Sequence, residues 1–474
     1  MKKIDMLILP KHMYTMAGEG VGYLWDHGVA VDRGKIIAVA PRCELLGAYT
    51  AEKVIDQPDQ VLMPGFIDGH MHTGHGILRG VAQDINNWMM EGMAPFEAQR
   101  SSEAKTCGSK LAIAEAVMNG TTTIGDDGSD MDGACRFIQE IGVRGNVSVR
   151  IREALPRSYR KGELYEFSDE MGRQTLNECL DLFDRYHGVD DGRIQIRFGP
   201  QGPDFVSEKM LRQVKTLAKE RHTKIHMPLE QGSREAAQMQ MRYGRRSIPW
   251  LESIGYFDQD FIGIHLTDAT KEETAIPVKY GASMILCSSS IGVIDGIVPP
   301  AKHFQDAGGC VGLGGDQAPG NNCHNMLNEM KLTAILNKVR FEDPEVMPAW
   351  KVVRMATIEN ARALGIEERV GSIEVGKDAD LILIDTKQAS LVPLLTTPMR
   401  NFIPNLVYSA RGHEVDTVIV MGRVLMEHRK PLTFDLESIL DQTQSMAQEI
   451  GEKAAGQFYE INGKNAQYMR EDKL

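Results

Sequence analysis

Paired cysteines are missing from this chain. Its seven cysteines are odd in number, scattered over 474 residues and never spaced as Cys-x-x-Cys, which excludes a disulfide framework and a zinc–thiolate knuckle. Reduced thiols in a cytoplasmic protein are the expectation, with Cys287 and Cys323 read as small buried apolar residues. Surplus positive charge is also missing. Lys and Arg number 53 against 65 Asp and Glu, a formal net charge of −12 with no basic cluster, so nucleic-acid phosphates are poor partners and small neutral or cationic molecules are better ones. No long apolar run suggests a membrane segment. The N-terminal Met1-Lys-Lys-Ile-Asp-Met-Leu-Ile-Leu-Pro10 is short and broken by Asp5 and Pro10, so it reads as a first strand and not as a signal peptide. Internal repeats and low-complexity stretches are absent as well.

What remains is ordinary globular material: 42% hydrophobic and 25% charged residues, enough to bury a barrel of roughly 250 residues or more beside a smaller module. Residues 28–40 alternate short apolar runs with turns, and the same strand texture returns at 379–385 and 415–426. Between these ends, short apolar strands precede longer amphipathic stretches, as where residues 193–198 lead into a helical pattern over 207–221. Repeated β-then-α units predict a parallel α/β sheet. The last stretch, about 435–459, is charged and helix-prone, and is expected to pack on the outside or on another subunit.

The most informative segment is Met63-Pro-Gly-Phe-Ile-Asp-Gly-His-Met-His72, followed by a glycine-rich exit. Residues 61–68 read as an entering strand. His70 and His72 stand two residues apart, so both imidazoles point to one face and can converge on one ion. Alone, a His-x-His pair is more often surface or core histidine.

Further motifs follow in fixed order: Gly80-Val-Ala-Gln-Asp84, a stretch from Trp88 to Glu97, Gly120-Thr-Thr-Thr123, Gly199-Pro200 and Ile264-His-Leu-Thr-Asp268. Then come Gly296-Ile-Val-Pro299, Gly312-Leu-Gly-Gly-Asp316, Asn321-Asn322 and Gly371-Ser-Ile-Glu-Val-Gly-Lys-Asp-Ala-Asp380. Together with His70-Met-His72, this series resembles the metal-dependent amidohydrolase superfamily, in the branch of cytosine and guanine deaminases, S-adenosylhomocysteine deaminase and the s-triazine hydrolases. The resemblance implies a distorted (β/α)₈ TIM barrel over 63–369, a small β-sandwich built from both chain ends (1–62 and 370–430) and a helical tail (431–474). It also implies a homo-oligomer. His70, His72 and Asp316 correspond to metal ligands, and His265 to the sixth-strand histidine that acts on the attacking water. Asp316 is also the acceptor of that water's proton. Zn²⁺ suits imidazole and carboxylate best, with Fe, Co or Mn as alternatives.

On the fifth strand the sequence departs from the pattern. Relatives carry His-x-His-Leu-x-Glu, whereas this chain reads His226-Met-Pro-Leu-Glu-Gln231. Pro228 occupies the ligand position and cannot coordinate. His226 stands about 6.5 Å back along the strand, reaching the ion only through a register shift. Gln231 falls where the acid belongs and cannot shuttle a proton near neutrality, while Glu230 would serve as acid/base only if a bulge turned it inward. Glu97, Gln201, Gln231 and Trp88 are the candidate substrate contacts, and His75 reads as a loop histidine without a metal role.

The resulting expectation is a metal-activated water acting on an N-heterocycle or cyclic amidine, with hydrolytic deamination first. Displacement of another leaving group such as chloride is the alternative, since chloride needs no proton. A weakened binding protein is the third reading.

Overall fold

The computed structural model describes residues 1–157, 159–160 and 162–474. Eight parallel strands form the barrel sheet: Phe66–Met71, Thr121–Gly128, Arg144–Ile151, Ile194–Pro200, Ile225–Leu229, Phe261–His265, Ser283–Leu286 and Val311–Leu313. Helices such as Ser102–Met118, Asp169–Tyr186 and Glu208–Glu220 cross between them on the outside. The last helix has Ser207 as N-cap, its hydroxyl accepting from the Met210 N–H, the local chemistry that starts a helix where the amphipathic pattern begins. A second, nine-stranded mixed sheet joins both chain ends, with Tyr49–Pro64 hydrogen-bonded to Lys2–Tyr14 on one side and to Leu381–Asp385 on the other. It carries one apolar cluster around Ile8, Val29 and Leu383 and another around Leu7, Ala30 and Leu45, as the alternation of a pleated strand requires.

The apolar run at 61–68, expected as one entering strand, is divided at Gly65. The Gly65 N–H binds the Asp380 carbonyl of the terminal module (3.0 Å), whereas the Phe66 N–H binds the Gly120 carbonyl of the barrel (2.9 Å). A Cβ at Gly65 would lie 2.1 Å from Thr122 Cγ2, so only glycine lets the chain pass from one sheet to the other here.

The barrel closes through a single bridge instead of a full ladder. Met71 pairs with Asp316, the His72 N–H reaching the Asp316 carbonyl at 2.9 Å and the Asp316 N–H reaching the His70 carbonyl at 2.8 Å. This seam joins the C-terminal end of the first strand to the turn after the last. It therefore places residues 70, 72 and 316 together. At the opposite end, helix Ile358–Leu364 closes the floor, its Ala361 and Leu364 packing with Ile67, Ile262 and Ile285. The long penultimate helix Leu436–Ile461 lies outside, its Ile450 and Met446 packing on Ile77, Leu78 and Met93.

Candidate metal centre

His70, His72 and Asp316 each present one ligand atom, and these atoms lie within 4.8 Å of one another. His70 Nε2 is 3.7 Å and His72 Nε2 3.4 Å from Asp316 Oδ1. The remaining atom of each group is already engaged. His72 Nδ1 faces the Asp127 carbonyl at 2.6 Å, His70 Nδ1 faces His226 Nε2 at 2.8 Å, and Asp316 Oδ2 accepts the Ser290 hydroxyl at 2.5 Å. By contrast, His70 Nε2 and Asp316 Oδ1 are buried with no hydrogen-bond partner. Buried polar atoms without partners are costly. A divalent cation bound by two imidazoles and a carboxylate would satisfy both, so this donor set fits such an ion.

The electrostatics suit that role. Burial and then the neighbouring positive groups hold the His70 imidazole well below its ordinary pKa, and burial brings His226 down to about 3. Both rings are therefore neutral, as ligation demands. With Nε2 of His70 free, its proton sits on Nδ1 and is donated to His226 Nε2. The same logic puts the His72 proton on Nδ1, toward the Asp127 carbonyl; Arg150 Nη2, 3.3 Å from that nitrogen, then bonds the Asp127 carboxylate, also at 3.3 Å. Asp316 holds this position with a left-handed backbone, φ +61°, a strained state for a non-glycine residue that the closing bridge maintains.

His226 thus stands beside the triad and outside it, in contact with a ligand instead of with the common point. The strand around it runs in unshifted parallel register, Pro228 opposite Ile264 and Leu229 opposite His265. No bulge turns Glu230 inward. Its left-handed backbone, φ +52°, delivers the carboxylate to Arg246 Nη2 (2.6 Å) and the Ile248 N–H (3.0 Å), and burial raises it to about 7. Glu230 is therefore tied to the loop after the strand. The Gln231 N–H binds the Glu235 carboxylate at 2.9 Å, leaving its side chain near Gly202.

His265 ends the sixth strand with φ +68°. Its ring centroid is 5.2 Å from that of His70, and its Nδ1 is buried without a partner. Burial lowers its pKa, opposed by the Asp316 carboxylate. Gln201 follows the fourth strand with its Oε1 likewise buried and unpartnered. Glu97 reaches the centre's rim indirectly: His75 lies 3.7 Å from it, bonds Gln317 Oε1 at 3.0 Å, and its ring centroid is 5.6 Å from that of His72. Trp88, half-buried, packs against the apolar cluster of Ile77, Leu78, Met93 and Ile450.

A family model described as the amidohydrolase family matches residues 61–425. The chain belongs to the amidohydrolase family. It is 32% identical over 404 residues to a 5'-deoxyadenosine deaminase of Methanobrevibacter smithii, covering 85% of this chain and 89% of that protein. Among solved structures, an adenosine deaminase from Xanthomonas campestris with bound zinc superposes with a TM-score of 0.87 at 28% identity, covering 95% of this chain and 99% of that one. An atrazine chlorohydrolase from Arthrobacter aurescens complexed with zinc shares the fold at a TM-score of 0.82 and 21% identity, over 93% and 100% of the two chains. The protein is thus an enzyme that hydrolyses carbon–nitrogen bonds other than peptide bonds.

Three groups of this amidohydrolase's centre carry no motif of their own. Asp127, Arg150 and Ser290 lie in the second strand, in the third strand and just after the seventh. The signal for them was compositional only: adjacent buried acids at Asp126-Asp127 and a serine run, Ser288-Ser-Ser290, among apolar residues. Among the described residues, no helix is long and apolar enough to cross a membrane.

Proposed function

We propose that this amidohydrolase deaminates a small N-heterocycle, a divalent metal, zinc first, occupying the His70/His72/Asp316 triad. The observation that carries this reading is the pair of buried, unpartnered ligand atoms, His70 Nε2 and Asp316 Oδ1, facing each other across 3.7 Å. When bound, such an ion lowers the pKa of a water to about 7 and so supplies a nucleophile near neutrality. The Asp316 carboxylate, whose Oδ2 is held in its rotamer by the Ser290 hydroxyl, would accept the proton lost by the attacking water. His265, neutral because of its burial, offers Nδ1 to the same water or to the developing negative charge. Gln201 supplies an unpaired amide oxygen to a ring N–H of the substrate.

The deaminase names of the relatives support release of ammonia. One observation favours a second leaving group: Glu230 is tied to Arg246, and Gln231 cannot protonate a departing amine, whereas chloride leaves unprotonated.

Purified protein should be assayed for metal content, then for ammonia from aminopurine nucleosides, aminopyrimidines and aminotriazines, and for chloride from chlorotriazines. Ammonia release that disappears on chelation and returns with Zn²⁺ is the expected result. Chloride release alone would establish the second reading. No turnover of any class at full metal occupancy would refute the proposed reaction.

A further inference from the structure

A buried carboxylate without a cation stands behind the metal centre. Glu329, in the first turn of helix Met326–Phe341, is 1% exposed, and no Lys, Arg or His pairs with it among the described residues. Its carboxylate accepts instead from the Ser288 N–H at 2.6 Å, from the Ser289 hydroxyl and from the Ser289 N–H at 3.4 Å. Thr333, one turn further along the same helix, donates to the Ser288 hydroxyl oxygen at 2.9 Å. A carboxylate this deep is costly unless several donors hold it, and here the donors all belong to one short segment.

That segment is the turn after the seventh strand. The first N–H groups of any helix lack partners within it, and the N-cap of helix Ser288–Ile294, Cys287, offers them no side-chain bond. Glu329 supplies the acceptors from about forty residues away. The next residue in the segment is Ser290, whose hydroxyl donates to Asp316 Oδ2 at 2.5 Å, while Asp316 Oδ1 has no hydrogen-bond partner. Room for that hydroxyl is narrow. A Cβ at Gly320 would lie 2.2 Å from Ser290 Oγ, so the hydroxyl fits between Gly320 and Asp316 only where the start of the helix holds it.

We infer that Glu329 is a positioning residue for the metal-binding carboxylate: by fixing the turn Ser288–Ser290 it sets the rotamer in which Asp316 Oδ1 faces His70 and His72. The inference rests on the metal reading above. Glu329 acts on the ion only through Ser290, and an Asp316 released from that hydroxyl would lose rotamer freedom on binding, which weakens affinity.

The test is a double-mutant cycle read as Zn²⁺ affinity by chelator competition, with unfolding of the metal-free protein measured beside it. Glu329→Gln keeps the shape but replaces one acceptor oxygen by a donor, and should bind Zn²⁺ about tenfold or more weakly, as for loss of other outer partners. Ser290→Ala should also weaken binding, and the double variant should lose no more than Ser290→Ala alone, because both substitutions break one chain of bonds. Ser289→Ala removes the hydroxyl from the other end of the Glu329 bond without adding bulk. It should weaken binding in the same direction, and it decides if Glu329→Gln does not fold. Unchanged affinity in Glu329→Gln or, failing that, in Ser289→Ala, with only a lower unfolding midpoint, would reduce Glu329 to a helix cap and overturn the inference. Additive losses in the double variant would overturn it too, since Glu329 would then reach the ion by another route. If the unaltered protein takes up no Zn²⁺, the metal reading itself falls and takes the inference with it.

Discussion

Replacing His226 by leucine tests how the triad is held. In the folded protein His70 Nδ1 lies 2.8 Å from His226 Nε2, and both rings are essentially inaccessible to water, at 0% and 1% exposure. Removing the acceptor leaves the His70 N–H buried and unpaired, a loss of about 1–3 kcal/mol. Part of that loss falls on the orientation and basicity of His70, and loss of such an outer partner typically lowers metal affinity about 10–100-fold, or about 1.4–2.7 kcal/mol. Competition with a fluorescent chelator gives the affinity, and denaturant unfolding of the metal-free protein gives the stability. His226→Gln, which keeps an acceptor oxygen, should recover part of the affinity. The reasoning fails if His226→Leu binds metal as the original does. It fails in the opposite sense if both variants lose the ion altogether, because His226 would then be a ligand itself.

Three further outcomes follow from the same geometry. His265→Asn should lower kcat by about 10²–10⁴-fold with little change in unfolding midpoint, since His265 Nδ1 has no partner to lose; unchanged turnover would remove it from the reaction. Pro228→His, on the strand face shared with His226, should raise metal affinity by at least about tenfold by adding an imidazole, and unchanged chelator competition would mean that the fifth strand does not face the ion. Glu230 is raised by burial from its ordinary 4.5 to about 7, so between these values the folded protein keeps a proton that the unfolded chain has released. Stability falls as pH rises through that window. Glu230→Gln should remove the slope, gaining on the original by up to about 3 kcal/mol between pH 4.5 and 8; parallel stability–pH curves would contradict this.

The sequence by itself determined the class of fold and the identity of the triad. Apolar strands alternating with amphipathic helices dictate a parallel α/β sheet, His70-Met-His72 marks a strand end able to bind an ion, and the family resemblance of Gly312-Leu-Gly-Gly-Asp316 adds the carboxylate. Local pattern carries the strands and the His pair because strand period and ligand chemistry are properties of neighbouring residues. Only the tertiary structure decided how those ends meet, through one bridge between Met71 and Asp316 across more than two hundred residues of chain. It also decided the fifth strand. The text His226-Met-Pro-Leu-Glu-Gln231 left open whether the register slips, whereas the packed barrel keeps it and gives Glu230 to Arg246 and His226 to His70. Asp127, Arg150 and Ser290 were illegible for the same physical reason. Each has its role through partners distant in the chain, and a residue's spacing from its neighbours says nothing about which distant group the closed barrel will set beside it.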